Sequence, residues 1–129
     1  MNPEFLNLAE VLEIHRDQID RYGGSPGIRD MGLLLSALAV PAASFGGSFL
    51  HADLFEMAAA HLFHIVRNHP FIDGNERAGA LAALIFLSLN GIEIDAEEDS
   101  FENMVFEVAA GHADKRFVRE FLQGHVHRQ

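Results

Sequence analysis

The sequence predicts a single all-α domain over residues 1–129, built from about six helices. Apolar side chains recur three and four residues apart in successive stretches, which is the period of a helix that buries one face. Glycine, proline, asparagine and aspartate stand between these stretches, where helices typically begin and end. Ile92–Asp95 alternates like a strand, but this short segment has no obvious partner with which to pair.

The first helix is expected to begin at Asn2–Glu4, where a capping residue, a proline and an acid follow one another. Its apolar face continues until Gly23–Gly24 ends the helix. His15 lies on this face, and we interpret it as a structural histidine at the edge of the core with a hydrogen-bond partner. A second helix is predicted to follow the cap Asp30 and to end at Pro41.

Residues 41–52 interrupt the helical pattern with alanine, serine, phenylalanine and the pair Gly46–Gly47. This composition fits either a long connection or a short β-hairpin. The third helix is expected to begin after Asp53. It carries His61 and His64 at a spacing that can place two metal ligands on one face, but no acid accompanies them in a zinc-type signature, so we interpret the pair as structural.

The segment His69–Arg77 reads His-Pro-Phe-Ile-Asp-Gly-Asn-Glu-Arg. Pro70 predicts that the third helix ends here, and Phe71 is expected to be buried and to anchor the loop. A histidine can exchange a proton near neutral pH, and an aspartate supplies the oxygen ligand that Mg²⁺ prefers. Free backbone N–H groups at the start of the next helix would form a cradle for an anion beside a fixed positive charge. These residue types are the ones that phosphoryl-group chemistry needs.

The fourth helix is predicted to run from Asn75 to Leu89, and its many small side chains predict a buried central helix that its neighbours approach closely. A fifth helix is expected after the acidic residues 97–99, which are favourable at a helix start, and it ends at Gly111. Asp114 begins the sixth helix.

Composition limits the class of protein. A net charge of −10 disfavours direct binding to nucleic acid, which needs clustered cations. The absence of cysteine excludes thiol catalysis and fits a reducing compartment. The run Ala78–Leu89 is too short to span a bilayer, and Met1–Ile14 lacks a signal-peptide pattern. We therefore expect a cytoplasmic protein with no nucleic-acid or membrane partner.

The His69–Arg77 segment resembles the central motif of the Fic superfamily, His-Pro-Phe-x-Asp-Gly-Asn-x-Arg. Tyr22–Gly27, which reads Tyr-Gly-Gly-Ser-Pro-Gly, is similar to the Doc (death-on-curing) branch, the toxins of small toxin–antitoxin pairs. With both segments, the resemblance covers most of the chain. It implies a small bundle of helices in which the motif loop leads into the central helix.

The resemblance also implies roles for the motif residues. His69 matches the catalytic histidine, which removes the proton from a hydroxyl group of the target. Asp73 matches the acidic position that binds Mg²⁺ on the phosphates of the nucleotide. The nucleotide-binding positions are Gly74, Asn75, Glu76 and Arg77: the first three form the anion nest, and the arginine holds phosphate oxygens.

Two positions depart from the pattern of most Fic enzymes. These enzymes carry glycine where this chain has Glu76, and a second arginine where it has Ala80. In lacking the second arginine the chain is similar to Doc proteins, which generally transfer the terminal phosphate of a nucleoside triphosphate. Doc proteins, however, commonly have lysine at position 76. Glu76 leaves three outcomes open: it points to solvent at the helix start, it helps to hold a metal, or it weakens nucleotide binding. We favour the first.

The resemblance implies a Doc-type toxin that uses ATP (or another nucleoside triphosphate) and Mg²⁺ to phosphorylate a protein hydroxyl, with translation elongation factor Tu as the type of target. AMP transfer by the same site and a non-catalytic binding module remain alternatives. In Fic proteins the segment matching 41–52 is a flap that pairs with the backbone of the target, here near Phe45–Phe49. An antitoxin acting in trans is expected, because no inhibitory Ser/Thr-x-x-x-Glu-Gly/Asn helix is found in the chain.

Overall fold

A computed structural model describes residues 2–128, and six α-helices make up most of this part of the chain. The helices are α1 (Leu8–Tyr22), α2 (Met31–Ala39), α3 (Leu54–Asn68), α4 (Asn75–Leu89), α5 (Glu98–Ala109) and α6 (Lys115–Gly124). Two short strands, β1 (Ser44–Phe45) and β2 (Ser48–Phe49), form an antiparallel hairpin between α2 and α3. The all-α prediction is confirmed. The ends of the predicted domain, Met1 and Gln129, lie outside the described residues.

The predicted start of α1 at Asn2–Glu4 is wrong, because a stronger signal lies one turn later. Asn7 caps the helix: its side chain accepts the Glu10 N–H at 2.8 Å, and the Glu10 carboxylate accepts the Asn7 N–H at 3.0 Å. This reciprocal pair is a capping box. The preceding segment is instead held to the end of α4, where the Asn90 side chain exchanges two hydrogen bonds with the backbone of Glu4.

The centre of the fold is the pair α3 and α4, which pack closely along their length. Gly79 permits this approach, because a Cβ atom at this position would lie only 2.8 Å from Val66 Cγ2 and 3.1 Å from the Leu62 carbonyl oxygen. Phe86 and Leu87 of α4 are fully buried. The prediction of a buried central helix is thereby confirmed, and the segment joining α3 to α4 is held at the end of the most tightly packed helix pair.

The interruption at residues 41–52 contains the predicted hairpin, which we call the flap (Ser44–Phe49). Gly46 and Gly47 have φ values of +61° and +84°, as the two-residue turns that fit twisted hairpins require. Phe45 is 82% exposed, whereas Phe49 packs on Phe5 with ring centroids 5.7 Å apart. The flap is therefore attached through one of its two phenylalanines.

The expectation that Ile92–Asp95 has no partner is wrong. Ile94 forms an isolated antiparallel bridge with Val126, and the Asp95 N–H donates to the His125 carbonyl at 2.7 Å. The partner lies at the far end of the chain and has no strand-like alternation of its own. Separately, none of the helices in residues 2–128 has the length and apolar character needed to cross a membrane.

Candidate active site

His69 ends α3 in a left-handed conformation, with φ 51° and ψ 53°. Within residues 2–128 it is the one non-glycine residue with positive φ. Pro70 disfavours helical geometry for the residue before it, so the predicted end of α3 is confirmed. This sharp change of direction leaves the imidazole of His69 exposed at the end of the helix.

Phe71 and Asn75 fix the inside of the loop. The Phe71 side chain is fully buried, which confirms it as the anchor. Its backbone N–H donates to Asn75 Oδ1 at 2.9 Å, and its carbonyl accepts from Asn75 Nδ2 at 3.0 Å. Asn75 is only 4% exposed, and these two hydrogen bonds determine the orientation of its amide group.

This orientation places the Asn75 amide nitrogen 3.1 Å from Nδ1 of His69. Because the amide group donates, Nδ1 of His69 accepts. The hydrogen of the neutral imidazole then sits on Nε2. The contact with Asn75 holds the ring of His69 and favours this tautomer.

Asp73 presents an exposed carboxylate held from two sides. Oδ1 accepts the Gly74 N–H at 2.8 Å, and Oδ2 accepts the Ser25 N–H at 3.2 Å. These hydrogen bonds, with that of Gly74 the stronger influence, hold the pKa of Asp73 below its usual value. Gly24 makes room for the carboxylate, because a Cβ atom there would lie 2.7 Å from Oδ2. The glycine-rich segment after α1 is therefore part of the wall around Asp73.

The start of α4 has the geometry of an anion site. Gly74, the N-cap residue, has φ 75°, and within residues 2–128 no side chain caps this helix. Four other helices do have a side-chain cap, provided by Asn7, Asp30, Asp53 and Asp114. The first-turn N–H groups of α4 therefore point outward without a capping side chain, and the positive end of the helix dipole favours a negative ligand there.

Arg77 lies in the first turn of α4 and reaches back to α1. Its Nη2 donates to the Gly23 carbonyl at 2.9 Å, and its Nη1 to the Gln18 carbonyl at 3.4 Å. The guanidinium carbon lies 5.9 Å from the centre of the Tyr22 ring, within the range of a cation–π contact. Arg77 thus joins the motif loop to the end of α1. The sequence predicted only a role in phosphate binding for this residue, not this contact.

Glu76 is exposed in the same turn and lines a surface cavity of about 400 Å³ together with Arg77 and residues of α5. This placement matches the first of the three outcomes considered for Glu76, in which the side chain points to solvent.

Two residues that the sequence analysis did not assign to the motif hold it from outside. His15 is buried, as expected of a structural histidine, but its hydrogen-bond partner is the Asp73 carbonyl, which accepts from Nε2 at 2.7 Å. Arg29 donates to the His69 carbonyl at 2.6 Å and to the Asn68 carbonyl at 2.9 Å. His15 and Asp73 are 58 residues apart in the chain, so no local pattern connects them.

The family model described as "Fic/DOC family" matches residues 5–87, a range that contains α1, the glycine-rich segment and the whole motif loop. The chain belongs to the Fic/DOC family. This Fic/DOC chain is 37% identical over 105 residues to "Toxin Doc" of Mycolicibacterium smegmatis, an alignment that covers 80% of this chain and 81% of that protein. It is 35% identical over 85 residues to "Protein kinase doc" of Escherichia phage P1, covering 66% of this chain and 67% of that protein.

Asp73 is the acidic side chain of the motif loop whose carboxylate could contact a metal ion. In the described part of the chain, no group of three or more histidine, aspartate or glutamate side chains is arranged to hold a metal ion. Mg²⁺ is often bound by only one or two carboxylates, together with phosphate oxygens and water. Asp73 has lone pairs left after its two hydrogen bonds, so its carboxylate fits this pattern.

Proposed function

We propose that this chain is a Doc-type toxin that transfers the terminal phosphate of ATP, or of another nucleoside triphosphate, to a hydroxyl side chain of a target protein. One observation carries the proposal: the exposed imidazole of His69, the ionised carboxylate of Asp73 and the uncapped start of α4 occur together in one loop. The relatives called a toxin and a protein kinase support the same class of activity.

The start of α4 is the proposed phosphate site. The backbone N–H groups that follow Gly74 would bind phosphate oxygens, and Arg77 adds a positive charge at the same turn. Glu76 is exposed in the first turn, where water can screen its carboxylate from the phosphates. Ala80 provides no second arginine further along α4.

Asp73 is the proposed ligand of Mg²⁺. When bound, the ion would neutralise charge on the phosphate oxygens. The two backbone hydrogen bonds to the carboxylate keep it ionised and oriented before any ligand arrives.

In the transfer step, the hydroxyl oxygen of the target attacks the terminal phosphorus. The bond from that phosphorus to the bridging oxygen breaks, and the nucleoside diphosphate leaves. The hydroxyl proton passes to the imidazole of His69. A neutral ring can accept it only at the nitrogen that carries no hydrogen, so the contact between Asn75 and Nδ1 must change when the proton arrives. Catalytic hydrogen bonds commonly reach their working geometry only when the substrate is bound.

The flap is the proposed docking site for the target protein. The proposed type of target is translation elongation factor Tu, and the proposed location is the cytoplasm. The short strands of the flap offer free backbone edges for an added strand, and Phe45 provides an exposed aromatic side chain beside them. Control by an antitoxin in trans belongs to the same proposal, and the similarity to a relative named "Toxin Doc" supports it.

The experiment uses the purified chain with Mg²⁺, elongation factor Tu or a cell lysate, and ATP labelled at either the γ or the α phosphate. We expect label from γ-³²P-ATP on a target protein, and a loss of about 10²- to 10⁴-fold in His69→Ala. His112→Ala is the matched control, because His112 is also exposed but lies between α5 and α6.

Label from α-³²P-ATP alone would replace phosphate transfer by AMP transfer, because the β and γ phosphates would then leave together as pyrophosphate. No label from either nucleotide, together with a growth effect that His69→Ala leaves unchanged, would show a binding module and refute the enzyme.

A further inference from the structure

His15 is a buried histidine of α1 whose contacts lie on the motif loop. Only 5% of the residue is exposed, and its ring lies flat on that of Phe71, with centroids 3.8 Å apart and planes 5° apart. Its Nε2 is 2.7 Å from the Asp73 carbonyl oxygen, which can only accept, so Nε2 carries the hydrogen. One side chain of α1 therefore contacts both the anchor of the loop and the backbone of its acidic residue.

Hydrogen bonds hold three oxygen atoms of Asp73. His15 holds the carbonyl, while the N–H groups of Ser25 and Gly74 hold one carboxylate oxygen each. The next residue is confined as well, since a Cβ atom on Gly74 would lie 3.6 Å from His15 Nε2 and 3.1 Å from Ile19 Cδ1. Asp73 is exposed, so these contacts, and not burial, determine where its carboxylate points.

We infer that His15 is a positioning residue for Asp73, and that it sets the affinity of the site for a divalent cation without touching the cation. The inference rests on the proposed function, in which Asp73 is the Mg²⁺ ligand. Loss of the His15 donor frees the Asp73 backbone to rotate, and the carboxylate then leaves the direction that Ser25 and Gly74 impose. Groups that orient a metal ligand from the second layer commonly change metal affinity by about 10- to 100-fold.

Two substitutions separate the hydrogen bond from the packing. His15→Phe keeps a flat ring on Phe71 and removes the donor. His15→Gln places an amide nitrogen at nearly the same number of bonds from the backbone and keeps a donor for the Asp73 carbonyl.

His61 offers a matched control. It is 1% exposed, its Nδ1 lies 2.8 Å from the Met57 carbonyl oxygen, and its ring packs on Phe86. His61→Phe therefore removes the same kind of buried hydrogen bond at a site away from the motif loop.

The first measurement is the binding of Mn²⁺ in the presence of ATP, followed by electron paramagnetic resonance. We expect His15→Phe to weaken Mn²⁺ binding by about 10-fold or more, His15→Gln to restore most of it, and His61→Phe to leave it unchanged. Equal weakening in His15→Phe and His61→Phe, or no recovery in His15→Gln, would overturn the inference.

The second measurement needs no ligand and so stays decisive if the proposed function is wrong. Hydrogen exchange reports the Ser25 and Gly74 amides, which donate to the Asp73 carboxylate. We expect His15→Phe to accelerate exchange at these two amides more than elsewhere. Unchanged exchange, or the same acceleration throughout the chain, would show that His15 only supports the core. A wild-type chain that binds no Mn²⁺ with ATP would refute the proposed metal role and not the positioning of Asp73.

Discussion

The motif loop and the flap stand at opposite ends of α3 and are built in opposite ways. The loop is fixed through the buried ring of Phe71, the three contacts of the Asn75 amide, and the donors His15 and Arg29. The flap is attached to the rest of the fold mainly by the packing of Phe49 on Phe5. The hydrogen bond from the Leu50 N–H to the Ala43 carbonyl at 2.9 Å lies at the base of the hairpin itself. The motif loop is therefore held by many contacts with the rest of the fold, whereas the flap is held by few.

This difference matches what each region is proposed to do. Reacting groups need to be held within a fraction of an ångström, because small displacements cost large factors in rate. A recognition element gains from an exposed edge, although ordering it on binding reduces the affinity. The predictions below test this contrast, from the largest expected change in stability to the smallest.

Phe71→Ala is expected to lower the free energy of unfolding by about 3–5 kcal/mol, because it removes a fully buried ring and leaves a cavity behind the loop. Urea unfolding measures the change. The free energy of unfolding should fall without a large change in the denaturant slope. A loss below about 1 kcal/mol would mean that the loop does not depend on its anchor.

Low pH is expected to lower the free energy of unfolding through His61, a buried residue of α3, the helix between the motif loop and the flap. Burial lowers the pKa of His61 to about 4, whereas an exposed histidine in the unfolded chain titrates near 6.5. Between these values the unfolded chain binds more protons, so the free energy of unfolding falls as the pH drops from about 6.5 to 4, by about 3 kcal/mol from this residue.

Unfolding at pH 7, 6 and 5 in the wild type and in His61→Phe measures this contribution. The variant should show a shallower pH dependence. A residual slope is expected from His64, whose pKa is also lowered to about 4 by burial. Identical slopes in the two proteins would contradict the prediction.

Arg29→Ala is expected to cost about 1–2 kcal/mol, because the guanidinium group donates to two carbonyls at the end of α3. The side chain is exposed, which keeps the effect below that of Phe71. Arg29→Lys keeps the charge but not the paired donors, so it should recover only part of the loss. Full recovery by lysine would show that charge alone matters.

Phe45→Ala is expected to change the free energy of unfolding by less than about 0.5 kcal/mol, because the ring is 82% exposed. Under the proposed function it should raise KM for the target protein and leave kcat nearly unchanged. Phe49→Ala is the comparison, since its ring packs on Phe5 and its loss should also reduce stability. A stability loss in Phe45→Ala as large as in Phe49→Ala would remove the contrast between loop and flap.

The ends of an element could be predicted where they depend on residues within or next to that element. Asp53 and Pro70 set the two ends of α3, and the glycine pair with its flanking phenylalanines allowed the hairpin. The prediction of where α1 starts was wrong because Asn2 and Asn7 are both good capping residues. The choice between them depends on Glu10 nearby and on Asn90, which is 86 residues from its partner Glu4.

The supporting contacts of the loop could not be predicted for the same reason. Arg29 and the His69 carbonyl are 40 residues apart, and Arg77 and the Gly23 carbonyl are 54 apart. These pairs meet only because α1, α3 and α4 converge at one end of the fold. The sequence predicts which chemical groups form the candidate site, whereas the structure shows which residues contact and hold those groups.

The left-handed backbone of His69 brings backbone strain and the proposed catalytic imidazole together at one position. A glycine would adopt this conformation at a free energy lower by about 1–2 kcal/mol, so His69→Gly is expected to relieve strain while it removes the exposed imidazole. A screen for thermostability would then favour a change that removes the proposed catalytic group, so stability and the proposed activity oppose each other at this position.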